Sequence, residues 1–117
     1  MRHHVKRRAL GREKGQRTAL LRSLARSLVL HEGIVTTIAK AKALRPFVER
    51  LVTATKQNTL ASRRNVIERL GSLEAVKKLH ETIAPRYQKR IGGYTRIIRL
   101  GRTGKRETES ARIEFVK

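Results

Sequence analysis

The sequence contains no cysteine and no aspartate, and it has few aromatic residues. The absence of cysteine from its 117 residues excludes disulfides, thiolate zinc sites and cysteine nucleophiles. All nine acidic residues are glutamate, which excludes calcium loops built on aspartate and Asp-centred catalytic triads. Aromatic residues make up 3% of the chain, so we expect a core of Leu, Ile, Val and Ala.

Long hydrophobic runs are also missing. No apolar stretch approaches the roughly 18 residues of a membrane span, and the N-terminus is too rich in charge for a secretory signal. The basic start resembles an organelle transit peptide, but residues 1–12 contain no serine and few apolar side chains. We therefore expect a soluble, cytoplasmic protein without a membrane partner.

Positive charge is the feature that the sequence has in excess. The 29 Lys and Arg residues oppose 9 acidic residues, which gives a formal charge of +20. Such an excess repels itself in a compact state and is typical of proteins that work against a polyanion. Arginine outnumbers lysine about two to one, and its planar fork suits both phosphate and the exposed bases of folded RNA.

The spacing of apolar residues alternates along the chain between the helical period and the strand period. It predicts a helix from Gln16 to about Glu32, a strand at Ile34–Ile38, helices at Ala39–Lys56 and Leu60–Leu70, a fourth helix after Ser72, and strands at Tyr94–Leu100 and Ala111–Lys117. The predicted fold class is α+β, with two layers in the order helix, strand, three helices, strand, strand. We expect residues 1–15 to form a basic arm and residues 16–117 a single domain.

Several boundaries depend on glycine and proline. We expect Gly33 to close the first helix in the left-handed conformation, and Gly71 to end the third. Pro46 must mark the first turn of its helix or kink it, and Pro85 should stop the fourth helix. The polar link 101–110 predicts a mobile hairpin loop. The pattern leaves open whether the first strand lies in the middle or at the edge of the sheet.

The residues that could serve in catalysis or metal binding are explained more simply by structural roles. Adjacent side chains such as those of His3 and His4 point apart on an extended chain and suit a metal poorly. We interpret His31 as a helix-end charge and His80 as a boundary residue. The segment GGYTR lacks the Lys-Ser/Thr pair of a phosphate loop. We expect no enzyme activity, no metal, no cofactor and no small-molecule substrate.

Nucleic-acid binding is the interpretation that the charge distribution favours. The first 30 residues hold nine basic residues and one glutamate, which ordinary surface mixing does not explain. The candidate RNA-binding residues of the arm and the first helix are Arg2, His3, His4, Lys6, Arg7, Arg8, Arg12, Lys14, Arg17, Arg22 and Arg26. An architectural DNA-binding protein is the main alternative, and an RNA-processing nuclease is the third.

Three segments are similar to a known family: the opening MRHHVKRRALGR, TTIAKAKALR at Thr36–Arg45, and GGYTRI at Gly92–Ile97. In these segments the chain resembles the bacterial large-subunit ribosomal protein family numbered seventeen, in order from Met1 to Leu100. The C-terminal segment GRTGKRETESARIEFVK departs from the family pattern, which commonly has RRGD before a final IELV.

This resemblance implies a structural component of the large (50S) ribosomal subunit that binds its large rRNA. It implies a position on the outer face near the peptide exit region, beside ribosomal protein thirty-two and close to protein twenty-two. It also implies the helix, strand, three helices and two strands of the predicted fold. In addition to residues of the arm and the first helix, it implies RNA contacts at Thr36, Thr37, Lys40, Lys42, Arg45, Tyr94 and Arg96.

Overall fold

A computed structural model describes residues 13–102 and 108–117. Its elements in chain order are α1 Lys14–His31, β1 Gly33–Thr37, α2 Ile38–Gln57, α3 Leu60–Leu70, α4 Leu73–Lys78, a π-helical turn Leu79–Ile83, a 3₁₀ turn Ala84–Tyr87, β2 Thr95–Arg102 and β3 Glu109–Phe115. The predicted α+β class and element order are confirmed. Residues 1–12 of the predicted arm and the tip of the 101–110 link fall outside the described residues, and Lys14 and Gly15 belong to α1.

The three strands form an antiparallel sheet in the order β1-β3-β2. The first strand is therefore an edge strand, a point that the sequence leaves open. Ile34 and Ile97 flank Ile113 in one cross-strand row, and Ala111, Ile113 and Phe115 are buried, as their alternation predicts.

The helices pack on one face of this sheet and bury an aliphatic core between the layers. Leu28 of α1, Leu44 and Val48 of α2, and Ile83 of the π-helical turn are completely buried. The core is less purely aliphatic than we expected, since Tyr87, Tyr94 and Phe115 are also buried.

The first helix ends at His31, in the predicted region, but a different residue closes it. Glu32, not Gly33, adopts the left-handed conformation, with φ 63°, and its N–H bonds to the Leu28 carbonyl at 2.7 Å. Arg86 and Lys78 hold the Glu32 carboxylate, which offsets the strain of a side chain at positive φ. Gly33 begins β1 instead, where a Cβ would collide with the end of the Arg112 side chain.

Glycine and serine act as predicted between α3 and α4, but Pro85 does not stop the helical turns. Gly71 closes α3 with φ +68°, and Ser72 caps α4 by accepting the Ala75 N–H at 3.3 Å. Pro85 lies at the start of the 3₁₀ turn, where its missing N–H is not needed, so the chain continues through it. Pro46 lies in the interior of α2 and not in its first turn.

Within residues 13–102 and 108–117, no helix has the length and hydropathy to cross a bilayer.

Candidate nucleic-acid interface

A shallow basic groove runs along the N-terminal half of α1. Its lining residues are spaced so that the four-residue period brings them to one side of the helix: Lys14, Gly15, Thr18, Ala19, Arg22 and Arg26. Complete burial on α1 begins only at Ala25, so this half of the helix presents its side chains outside the core. Its lining combines the cationic side chains of Lys14, Arg22 and Arg26 with the small residues Gly15, Thr18 and Ala19.

The cations of this groove differ in how they are held. In the part of the chain that the structure describes, the groove cations Lys14 and Arg22 have no ion pair, and neither has Arg17, which lies on another side of α1. Arg26, by contrast, donates from Nη1 to the Leu70 carbonyl at 3.0 Å and so caps the C-terminal end of α3. Arg26 therefore fixes α1 against α3, and the three free cations are the ones available to a polyanion.

A second group of expected RNA contacts meets at the junction of β1 and α2. Thr37 ends the strand and caps the helix, because its Oγ1 accepts the Lys40 N–H at 3.3 Å. The first turn of α2 contains no acidic residue, and Lys40 and Lys42 make no ion pair with any described residue. The junction, which also includes Thr36, thus combines free lysines with the positive end of a 20-residue helix.

Arg45 is already paired within the domain. Its Nε lies 3.5 Å from Glu49 Oε2, and the same carboxylate accepts the Gly93 N–H at 3.3 Å, the Thr95 N–H at 3.2 Å and the Thr95 hydroxyl at 2.9 Å. Glu49 therefore fixes the start of β2 to the middle of α2. Sequence reasoning assigned no role to Glu49, since its partners at 93 and 95 are distant in the chain.

Arg96 is also paired, and it lies at the far end of the sheet. It donates to Glu114 at 3.0 Å, as does Arg112, and these two guanidinium groups lower the pKa of the Glu114 carboxyl, with Arg96 the larger cause. Arg96 and Gly33 share the Glu114 row, whereas Thr37 pairs with Ser110. Four residues of strand, about 13 Å, separate these rows, so Arg96 does not join the β1–α2 junction.

Tyr94 differs most from its expected role. The sequence predicts it in the strand at Tyr94–Leu100, and the family resemblance implies a contact with RNA, but β2 begins at Thr95 and the Tyr94 side chain is 0% exposed. The chain enters β2 through Gly93, which has φ +66°, so strand alternation does not extend back to residue 94. The Tyr94 ring instead packs against Tyr87, with centroids 5.2 Å apart, and it is not a surface contact in this fold.

Several further cations that the sequence analysis did not single out are exposed in the structure. The side chains of Arg50, Lys89 and Arg90 are exposed and have no ion pair among the described residues. Arg50 follows Lys42 by eight residues, a spacing that puts both on the exposed side of α2 and could have identified it. Lys89 and Arg90 lie in a loop whose position only the fold determines.

The remaining expected contacts lie outside the described residues. These are the residues of the arm, Arg2, His3, His4, Lys6, Arg7, Arg8 and Arg12. Among residues 13–102 and 108–117, no group of three His, Cys, Asp or Glu side chains comes together to hold a metal ion.

Comparison with known proteins gives the same family throughout. The family model described as ribosomal protein L17 matches residues 20–116. The chain is similar to the large ribosomal subunit protein bL17 of Hydrogenobaculum sp. (strain Y04AAS1), with 53% identity over 118 residues that cover 100% of both chains. It is similar to the bL17 protein of Sulfurihydrogenibium sp. (strain YO3AOP1), with 49% identity over 100% of this chain and 98% of the relative. The bL17 protein of Erythrobacter litoralis (strain HTCC2594) is 45% identical over 99% of this chain and 83% of its own length. With this match over nearly its whole length, the chain belongs to the ribosomal protein L17 family.

Proposed function

We propose that the protein is a structural constituent of the cytoplasmic large ribosomal subunit and binds large-subunit rRNA through its arm, the α1 groove and the β1–α2 junction. Its relatives are named as large ribosomal subunit proteins. The observation that carries the RNA-binding part is the set of cations without an acidic partner on α1, namely Lys14, Arg17 and Arg22. Unpaired cations concentrated on one short helix repel one another, and a bound anion removes that repulsion.

A glycine lies at the start of the groove. Gly15 is the second residue of α1, has no positive φ, and would meet no described atom within 4 Å if it carried a Cβ. Glycine is a weaker helix former than alanine, and no described contact requires it here. A bare backbone beside Lys14 and Arg22 lets a phosphodiester approach closely, with release of counterions as the driving term.

The β1–α2 junction supplies a second phosphate contact of a different kind. Thr37 Oγ1 accepts the Lys40 N–H at the positive end of α2, and the side chains of Lys40 and Lys42 add charge at this end of the helix. Two separate contacts on one rigid domain would hold two RNA segments in a fixed relation. We extend the proposal to a position on the outer side of the subunit near the peptide exit, next to ribosomal proteins thirty-two and twenty-two. We expect no catalytic activity.

The salt dependence of binding tests the electrostatic mechanism. Filter binding to in vitro transcribed large-subunit rRNA should weaken steeply with salt, with a logarithmic slope of about 0.7–0.9 for each phosphate contacted. Arg22→Gln should lower this slope by about one contact. Arg63→Gln is the matched control, because Arg63 already donates to Asn58 Oδ1 at 2.8 and 3.0 Å. Binding that is insensitive to salt, or an equal change in slope for both variants, would refute the mechanism.

Deleting the arm separates its role from that of the domain. A chain that lacks residues 1–12 should bind rRNA more weakly and keep its circular dichroism spectrum, because every described helix and strand begins after residue 12. Loss of the folded spectrum would contradict the division into arm and domain.

Competition tests the two alternative functions. Duplex DNA that displaces the protein from rRNA at fixed salt would favour an architectural DNA-binding protein. RNA cleavage with turnover, measured with and without divalent metal, would favour a nuclease. We expect neither result.

A further inference from the structure

A hollow of about 320 Å³ lies between the C-terminal half of α2 and the turn that precedes β2. Arg50, Thr53 and Gln57 line it from the helix, and Ile91 and Gly92 line it from the turn. It is separate from the α1 groove, and none of its lining residues belongs to the contacts expected from the sequence, apart from the buried Tyr94 at its base.

The turn is fixed at both of its ends. The Arg90 N–H donates to the Tyr87 carbonyl at 3.0 Å, and the Arg90 carbonyl accepts from Lys56 Nζ and from the Tyr94 hydroxyl. On the other side the Gly93 N–H donates to Glu49 at 3.3 Å. Only Ile91 and Gly92 remain between these anchors, so the fold holds them in place and presents them to the outside.

The turn exposes a large apolar side chain to solvent. Ile91 is 96% exposed, the highest value among the exposed large hydrophobic side chains of the described residues. Gly92 has no positive φ, and a Cβ there would meet nothing within 4 Å, so the domain itself does not require glycine. An apolar tip beside a bare backbone, held rigidly, is suited to contact with a partner that approaches closely.

The charge around the hollow identifies the kind of partner. Arg50 lines the hollow, and the exposed Arg90 directly precedes Ile91; neither has an ion pair among the described residues. The one carboxylate that lines the hollow, that of Glu49, is occupied by Arg45, Gly93 and Thr95. No described carboxylate therefore neutralises these two cations. An apolar tip flanked by free cations matches a nucleotide, whose base has an apolar face and whose phosphates are anionic.

We propose that this hollow receives an unstacked nucleotide of the rRNA, with the base against Ile91 and its flanking phosphates at Arg50 and Arg90. The Gln57 amide at the wall can donate to and accept from a base edge. This inference rests on the proposed rRNA binding. The α1 groove neutralises phosphates, whereas the hollow would recognise a particular conformation of the RNA.

Two variants of the turn test the contact without disturbing the core. Ile91→Ser removes the apolar tip, and Gly92→Val fills the open space above the backbone. Each should leave the melting temperature unchanged and weaken binding to large-subunit rRNA by roughly tenfold, the scale of one base contact. The salt slope for Ile91→Ser should match that of the unmodified protein, because no phosphate contact is lost. Leu60→Ser, at a side chain that is 66% exposed on α3, is the control and should bind normally.

The outcomes separate this inference from the proposed function. If the unmodified protein binds rRNA and both turn variants bind equally well, the nucleotide site is wrong and the rRNA-binding proposal stands. If the unmodified protein does not bind rRNA at all, the proposed function itself fails. If the variants bind rRNA normally but lose binding to a purified ribosomal protein, the hollow is a protein contact and the inference is overturned.

A direct probe uses the absence of cysteine from the sequence. A Gln88→Cys variant carries a single exposed thiol, three residues before Ile91 and outside the lining of the hollow, to which an iron chelate that generates hydroxyl radicals can be attached without blocking the site. We expect cleavage of bound rRNA at one cluster of nucleotides. Cleavage no greater than with the cysteine-free protein would overturn the site.

Discussion

Replacing Tyr94 by phenylalanine distinguishes a core residue from an RNA contact. The Tyr94 hydroxyl lies 3.2 Å from Thr53 Oγ1, 3.1 Å from Lys56 Nζ and 3.3 Å from the Arg90 carbonyl. The Lys56 ammonium also lies 5.0 Å from the centre of the ring. Phenylalanine retains the ring and its packing and loses only these hydrogen bonds.

Tyr94→Phe should lower the free energy of unfolding only modestly, because the partners of the hydroxyl keep other contacts. Thr53 also donates to the Glu49 carbonyl at 3.0 Å, and Lys56 also donates to the Arg90 carbonyl. With about 0.5–1.5 kcal/mol for a typical hydrogen bond, Tyr94→Phe should lower the free energy of unfolding by about 1–2 kcal/mol. For a domain of this size, that corresponds to a melting temperature lower by roughly 4–8 °C. Truncation to alanine should cost about 3–5 kcal/mol.

Urea unfolding followed by circular dichroism measures the loss, and filter binding at a temperature where the variant is folded measures RNA affinity. Tyr94→Phe should bind rRNA within about twofold of the unmodified protein, because the aromatic ring stays packed inside the core. Tyr87→Phe is the matched control, because the Tyr87 hydroxyl also belongs to a buried side chain and donates to the Val116 carbonyl. A tenfold loss of RNA affinity for Tyr94→Phe with unchanged stability would show that the hydroxyl contacts RNA.

Three further predictions concern the stability of the domain. Glu49→Ala should lower the free energy of unfolding by about 2–3 kcal/mol in urea titrations, because it leaves the N–H and hydroxyl of buried Thr95 without an acceptor. The pKa of Glu32 is lowered from its ordinary value of 4.5, chiefly by the hydrogen bond from Arg86, so this pair should stabilise the fold above about pH 4.5 and lose its effect as pH falls through the lowered pKa. With both side chains about one-third exposed, the loss should be about 0.5 kcal/mol, and Glu32→Gln should remove that part of the acid dependence. Gly71→Ala should lower the melting temperature, because alanine is strained at φ +68°; an unchanged value would contradict the left-handed cap.

Much of the fold could be predicted from the sequence because the signals are local. The apolar spacing around Leu28 and Leu44, the cap residue Ser72 and the terminator Gly71 each act within a few residues, and the structure confirms them. The residue predicted to close α1 was wrong, and a group distant in the chain accounts for the difference. Glu32 takes the left-handed position expected for Gly33 because Arg86, 54 residues away, holds its carboxylate.

The candidate site could be predicted only in part. Lys14, Arg17 and Arg22 lie free on the exposed part of α1, in agreement with their spacing. Arg26, Arg45 and Arg96 carry the same positive charge, yet they are already paired within the domain. Arg26 donates a hydrogen bond to the Leu70 carbonyl, and the other two form ion pairs with Glu49 and Glu114. A sequence shows that a side chain is cationic, but its availability depends on partners brought near by folding.

The sequence by itself determined the large positive charge and the order of the elements, because net charge is a sum over residues and periodicity is a property of neighbours. Only the tertiary structure decided that β1 lies at the sheet edge, that Tyr94 is buried, and that Ile91 is held outward beside Arg50. These features depend on contacts such as that between Glu49 and Thr95, 46 residues apart, whose formation requires the whole chain to close around its core.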